Sequence, residues 1–266
     1  MKRIILLMGI FMTLFVANLQ ATITVVNGMS HEYMVNRNQV YEGQIIIKNL
    51  SKNAARVVFY KTDLEHNCGG ETKFIAKGSH ERSCAEWIES SNNEIMISGE
   101  QEITVVYSVK VPDREFDGSY WGVIMIEEVE GVDTSEKKKG VKVRSNVRYA
   151  VQVIASFSQN VVKDLNYGAI GMDTVDAEEF LTINIDNTGN TLLKPVLILE
   201  LYNDNGETVK RIELTMQKVY PGNCKKFQVP LNGVPRGKFT GVLVADCGEN
   251  NIFGLNLNLD LSGKRG

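Results

Sequence analysis

The segment "DGSYWGVIMIEE" at residues 117–128 has a paler copy, "RGKFTGVLVADC", at residues 236–247. Each runs Gly, aromatic, Gly, then alternating aliphatics. Other landmarks repeat in the same order. "IIIKNLS" matches "LTINIDNTG", setting Ile47 against Ile185 and Asn49 against Asn187. Pro112 then stands against Pro230, Gly118 against Gly237, Tyr120 against Phe239, and Gly122 against Gly241. A chain with this order is constrained to build one supersecondary unit twice. In each copy the aromatic is expected to fill a core, and the glycines to permit a turn and a close backbone approach.

The unit is made of strands. "QIIIKNLS", "ARVVFYK", "EITVVYSVKV" and "YAVQVIASF" are short and rich in Val, Ile, Tyr and Phe, and Gly, Asn, Asp and Ser clusters bound them. The second half continues the style in "FLTINIDN", "PVLILELYND", "KKFQVPL", "FTGVLVAD" and "FGLNLNLDL". No long stretch holds a helical period, so the fold class is all-β, with two tandem immunoglobulin-like sandwiches at residues 22–157 and 158–261. Asn49 and Gly118 lie 69 residues apart and Asn187 and Gly237 only 50, which leaves 19 extra residues in the first copy. Their natural home is residues 63–87, an insertion long enough to be functional or clipped.

Residues 1–21 read "MKRIILLMGIFMTLFVANLQA", a charged start, an apolar run and a small residue at a cleavage position. That is the pattern of a cleaved secretory signal, too short in its apolar part for a spanning helix. Export without a membrane anchor is expected. The four cysteines are Cys68, Cys84, Cys224 and Cys247. In an exported chain they predict two disulfides, most simply Cys68–Cys84 across the insertion and Cys224–Cys247 across a hairpin. His66, Cys68, His80 and Cys84 could form a zinc set, but oxidised cysteines do not ligate zinc as thiolates, so no metal is expected. The net charge of −3 offers no basic footprint for nucleic acid. Three histidines and no nucleophile or phosphate-loop motif point away from an enzyme and from any cofactor.

Two stretches point to a partner. "EEVEGVDTSEKKKGVKVR" at residues 127–144 folds on paper into a charged hairpin that projects Lys137, Lys138 and Lys139. "VRYAVQVIASF" at residues 147–157 places Val147, Tyr149, Val151, Val153, Ala155 and Phe157 on one face, and Ala150, Gln152, Ile154 and Ser156 on the other. The second face is only half polar. It is either covered by the second sandwich or belongs to an edge that accepts another chain's strand, with Tyr149, Gln152 and Ile154 in the contact.

The order "YEGQIIIKNLS", a Gly-led strand ending "VKVP", "GSYWGVI" and "VRYAVQVIASFSQNVVKDL" resembles the PapD-like immunoglobulin fold of periplasmic pilus chaperones. More closely, it looks like the first domain of the WxL-interacting proteins. The resemblance implies an exported, non-catalytic protein-binding module, acting in the assembly or display of envelope polypeptides in the periplasm or at the cell surface. The alternatives it leaves are a wall adaptor that binds peptidoglycan or a wall protein, and a structural pilus or adhesion subunit. Arg37 and Arg148 stand loosely where the pilus chaperones carry their Arg–Lys anchoring pair.

Overall fold

A computed structural model describes residues 22–69, 71–129 and 147–263. The signal segment and Lys137, Lys138 and Lys139 lie outside them. The first copy contains β1 (Ile23–Val25), β2 (Ser30–Met34), β3 (Val40–Asn49), β4 (Ala55–His66), β5 (Thr72–Ala76), β6 (Ile88–Ser90), β7 (Glu94–Ile97), β8 (Glu102–Lys110), β9 (Ser119–Val129) and β10 (Arg148–Ser156). The second contains β11 (Leu165–Val175), β12 (Glu178–Asn187), β13 (Val196–Tyr202), β14 (Thr208–Glu213), β15 (Cys224–Pro230), β16 (Lys238–Asp246) and β17 (Ile252–Asp260). Among the described residues the only helical element is one 3-10 turn, Ala85–Trp87.

The strands form two tandem immunoglobulin-like sandwiches. In the first, the sheet β1-β3-β8-β6 faces the sheet β2-β10-β9-β4-β5, on which β7 also pairs with β4. In the second, β11-β12-β15 faces β14-β13-β16-β17. The repeat is therefore physical: β3, β8, β9 and β10 correspond to β12, β15, β16 and β17. Each sandwich has its own apolar core, one built on Ile45, Ile47, Tyr107 and Trp87, the other on Ile183, Ile185, Phe227 and Leu243.

The matched landmarks do matching work. Asn49 is wholly buried, and its Nδ2 donates to the carbonyls of Asn53 (2.8 Å) and Ile97 (3.0 Å) while its Oδ1 accepts from the Ser51 amide (2.9 Å). Asn187 does the same with Thr191 (2.8 Å), Val219 (2.8 Å) and the Gly189 amide (3.0 Å). One amide side chain thus ties each strand end to a neighbouring loop, supplying buried backbone groups that no ladder reaches. Gly118 and Gly237 both have positive φ and accept closing bonds of 2.8 Å, from Phe157 N–H and Leu261 N–H.

The expected Cys224–Cys247 hairpin does not form. β15 pairs with β12 in one sheet, while β16 lies between β13 and β17 in the facing one. The connection at residues 231–237 crosses from sheet to sheet, carrying a buried Val234, so its two strands diverge instead of pairing.

Candidate functional site

The insertion joins the sandwiches. β4 runs past the end of the core and turns into β5, bringing Cys68 against the start of β15, where it is bonded to Cys224 with the Cα atoms 4.9 Å apart. This overturns both expected pairings. Cys84 is a free thiol inside the first core, its Sγ 3.6 Å from the Val153 carbonyl, and Cys247 is a half-buried free thiol. The loop between Cys68 and Cys84 is held instead by Asp63, a fully buried carboxylate that accepts from the Ser79 amide (2.8 Å) and the Ser83 hydroxyl (2.6 Å). The zinc set is dispersed as well. Among the described residues the grouping with ligand spacing is Cys68, Asp186 and Cys224, and its two sulfurs are bonded to each other.

A small apolar cluster also spans the junction: Leu64, Trp121, Val123, Met125 and Ile154 from the first sandwich, and Tyr220 from the second. Trp121 sits between His80 (ring centroids 4.5 Å apart) and Tyr220 (4.7 Å), and its Nε1 donates to the Leu64 carbonyl at 2.8 Å. The second sandwich approaches so closely that a Cβ on Gly118 would stand 1.8 Å from the Asn190 carbonyl oxygen. Burial and nearby Lys225 lower the His66 pKa to about 4. Burial also lowers His80, against the opposing pull of Asp63 and Glu65. Glu32 is pushed up by burial but held below its usual value by Lys194 and Lys218, both of which pair with it across the junction.

The expected partner-binding residues go elsewhere. β10 is not a free edge: β9 flanks it along its whole length on one side, and β2, running parallel, flanks Gln152 to Ser156 on the other. Ile154, 1% exposed, is buried against the second sandwich, and Gln152 accepts hydrogen bonds from Tyr220 Oη (2.7 Å) and Lys218 Nζ (3.2 Å). The covered-face alternative therefore describes β10. Tyr149 donates to the Ile23 carbonyl at 2.7 Å. Arg148 pairs with Glu127 and Arg37 with Glu115, and the register of β2 on β10 puts the two arginines at opposite ends of that strand. The structure does not bring them together.

Of the strands that end a sheet, the long apolar β17 of the second sandwich is the candidate for partner pairing. β17 ends its sheet, with β16 on one side and no strand on the other among the described residues. Its inward residues Phe253, Leu255 and Leu257 are only half-buried. Sequence reading missed it because "FGLNLNLDL" shows the ordinary alternation of a covered strand. The usable signal was the absence of any Lys or Arg on it, the common guard of a free edge.

No family model matches the chain, and no curated protein matches it. Its structure is similar to the class 5 fimbriae chaperone CfaA, at 12% identity and a TM-score of 0.49, over 89% of this chain and 98% of that one. It is similar to the E. coli chaperone DraB, at 11% identity and a TM-score of 0.42, over 90% of this chain and 96% of that one. It is also similar to a chain in the CsuC–CsuE chaperone–tip adhesion subunit complex of Acinetobacter baumannii, at 11% identity and a TM-score of 0.44, over 78% and 90% respectively. WxL-interacting proteins are not among these likenesses. No helix among the described residues is long and apolar enough to cross a membrane.

Proposed function

We propose that this chain is an exported, non-catalytic protein-binding module that captures extended segments of envelope polypeptides by strand addition during their assembly. In this reading the mature chain begins after Ala21 and has domains at residues 22–157 and 158–261. The supporting observation is β17, a nine-residue edge with one unpaired side and a half-exposed apolar face. An edge of this kind in a folded, exported protein invites pairing with another chain, main-chain groups giving attachment and alternate side chains selectivity. The junction supports the same reading, because the disulfide and the Trp121–Tyr220 contact hold the two sandwiches as one pre-organised body, which lowers the ordering cost of binding.

Light scattering tests this on the mature chain mixed with urea-unfolded exported proteins from the same envelope. The chain is expected to suppress their aggregation at near-equimolar ratios and to form isolable complexes with them. If scattering is unchanged and no complex forms, the chain is not a polypeptide-capturing module.

A further inference from the structure

We propose that β11 and β17 are the two lips of a vacant strand seat that takes an uncharged, extended segment of another polypeptide. The segment runs parallel to β17 and inserts alternate apolar side chains between the sheets. This rests on the protein-binding reading and specifies its occupant.

The seat is defined by comparing the two sandwiches. Val153 stands opposite Gly122 just as Leu257 stands opposite Gly241, so β10 and β17 occupy equivalent places. Likewise Ile23 faces Asn49 as Leu165 faces Asn187, so β1 and the start of β11 are equivalent. From there the copies diverge. In the first, the chain leaves β3 after Val25, crosses the open side of the sandwich and returns as β2, paired parallel to β10 from Gln152↔Ser30 to Ser156↔Met34. In the second, β11 passes through a bulge between Tyr167 and Ile170 and stays on β12 as far as Val175. The place that β2 fills beside β10 is left open beside β17.

Burial records the difference. With β2 seated, Val151, Val153 and Ala155 are fully buried. Leu255 and Leu257, the equivalents of Val151 and Val153, are only half-buried, whereas Leu259, the equivalent of Ala155, is buried at the strand's end. Across the opening, Ile170 pairs with buried Ile183 and Met172 with buried Leu181, which puts both on the inner face. They are nevertheless 39% and 51% exposed. The inner face lacks a covering strand along this side.

The occupant's chemistry follows from the lips and from the strand that fills the matching place. Residues 165–172 and 252–259 contain no charged side chain; of the flanking charges, Asp164 accepts from the Thr188 hydroxyl, and Asp173 and Asp260 are paired with Lys226 and Lys238. The seat therefore complements a neutral segment and offers nothing to an acidic or basic one. β2 shows what fits: His31 and Tyr33 reach inward to the Tyr107 hydroxyl, at 2.6 and 2.8 Å, and Val35 follows into the core. A second copy could donate its own β2 only by giving up those bonds, which favours a different polypeptide.

The probe is a synthetic peptide of residues 30–35 carrying E32Q, spin-labelled at its N-terminus and titrated to millimolar concentration into the isotope-labelled mature chain. Amide shifts are expected at β17 and at Ile170 and Met172, with the label broadening residues 252–255 more than 258–260. Met172→Lys, at a half-exposed position, should weaken binding at least tenfold without moving the melting temperature. Broadening at residues 258–260, shifts on β17 without any at Ile170 and Met172, pairing of β17 with a second copy's β17, or no shift at all would each overturn the seat. Capture of unfolded clients by light scattering would then stand or fall on its own result.

Discussion

At the scale of single residues, the repeated landmarks are where sequence and structure agree most closely. A Cβ on Gly122 would lie 2.8 Å from the Ala85 Cα and N, which are backbone atoms that cannot give way. One on Gly241 would meet Leu257 Cδ1 at 2.6 Å, the end of a flexible side chain. Gly122→Val should therefore cost about 1–3 kcal/mol by overpacking, and Gly241→Val less, as urea midpoints on the two variants would show. Equal losses would contradict the distinction. Asn49→Ala and Asn187→Ala each orphan buried carbonyls, so each should lose about 1–3 kcal/mol. The glycines' role was legible because the repeat pairs each with a second instance of itself; the asparagines were legible as matched landmarks, but not the carbonyls they would satisfy. The role of His66 was not, because its environment comes from the other sandwich, where Asn223 accepts its backbone N–H. Its pKa is lowered to about 4 from the ordinary 6.5. The unfolded chain thus takes up a proton that the folded one refuses, so stability should fall as pH drops from about 6.5 to 4 and then level off. His31 and His80 are lowered too and add to the same slope. His66→Gln should flatten the slope in part, measured by urea unfolding across that range.

At the scale of elements, the sequence showed which face of each strand points inward but not what covers the other face. The alternation in "VRYAVQVIASF" is equally compatible with a free edge and with a strand beneath a second sandwich. Only the fold decides, and it places Ile154 against Trp121 and Tyr220. Ile154→Lys should accordingly bury an unpaired charge and lower the melting temperature sharply, whereas the same change on a free edge would leave it intact. The cysteines fail for a related reason. Near neighbours in sequence close the shortest loops, but Cys68 and Cys224 are 156 residues apart and meet only because β4 overshoots its core. Closing so long a loop stabilises by about 5 kcal/mol in the chain-entropy model. Non-reducing peptide mapping should find Cys68–Cys224 as the bridge, with two thiols per chain appearing on denaturation. Before denaturation both should alkylate slowly at neutral pH. Cys84 is sealed in the core with its pKa driven far up by burial, and burial pushes Cys247 up to about 11. A Cys68–Cys84 or Cys224–Cys247 peptide would overturn the junction as described.

At the scale of the whole molecule, the chain is one unit used twice with two deliberate differences. The first copy gained an insertion that staples the sandwiches together, and it alone sends a strand back across its own open side. The second copy, lacking that return, keeps β17 bare. All-β class and tandem repetition could be read from strand signals and landmark order. The vacancy could not, because it is a difference between two sandwiches in where a chain goes after a shared start, and "LNYGAIGMDTV" gives no hint that it stays put. Hydrogen–deuterium exchange on a chain of residues 22–266, without any ligand, tests this most directly. Backbone groups of β10 from Gln152 to Ser156 are flanked by strands on both sides, whereas half of those on β17 face solvent. The peptide covering residues 252–260 should therefore take up deuterium in two populations, about half its amides exchanging fast, while residues 152–156 stay protected throughout. Protection of β17 equal to that of β10 in the free protein would mean the edge is already covered, and would contradict the account at its centre.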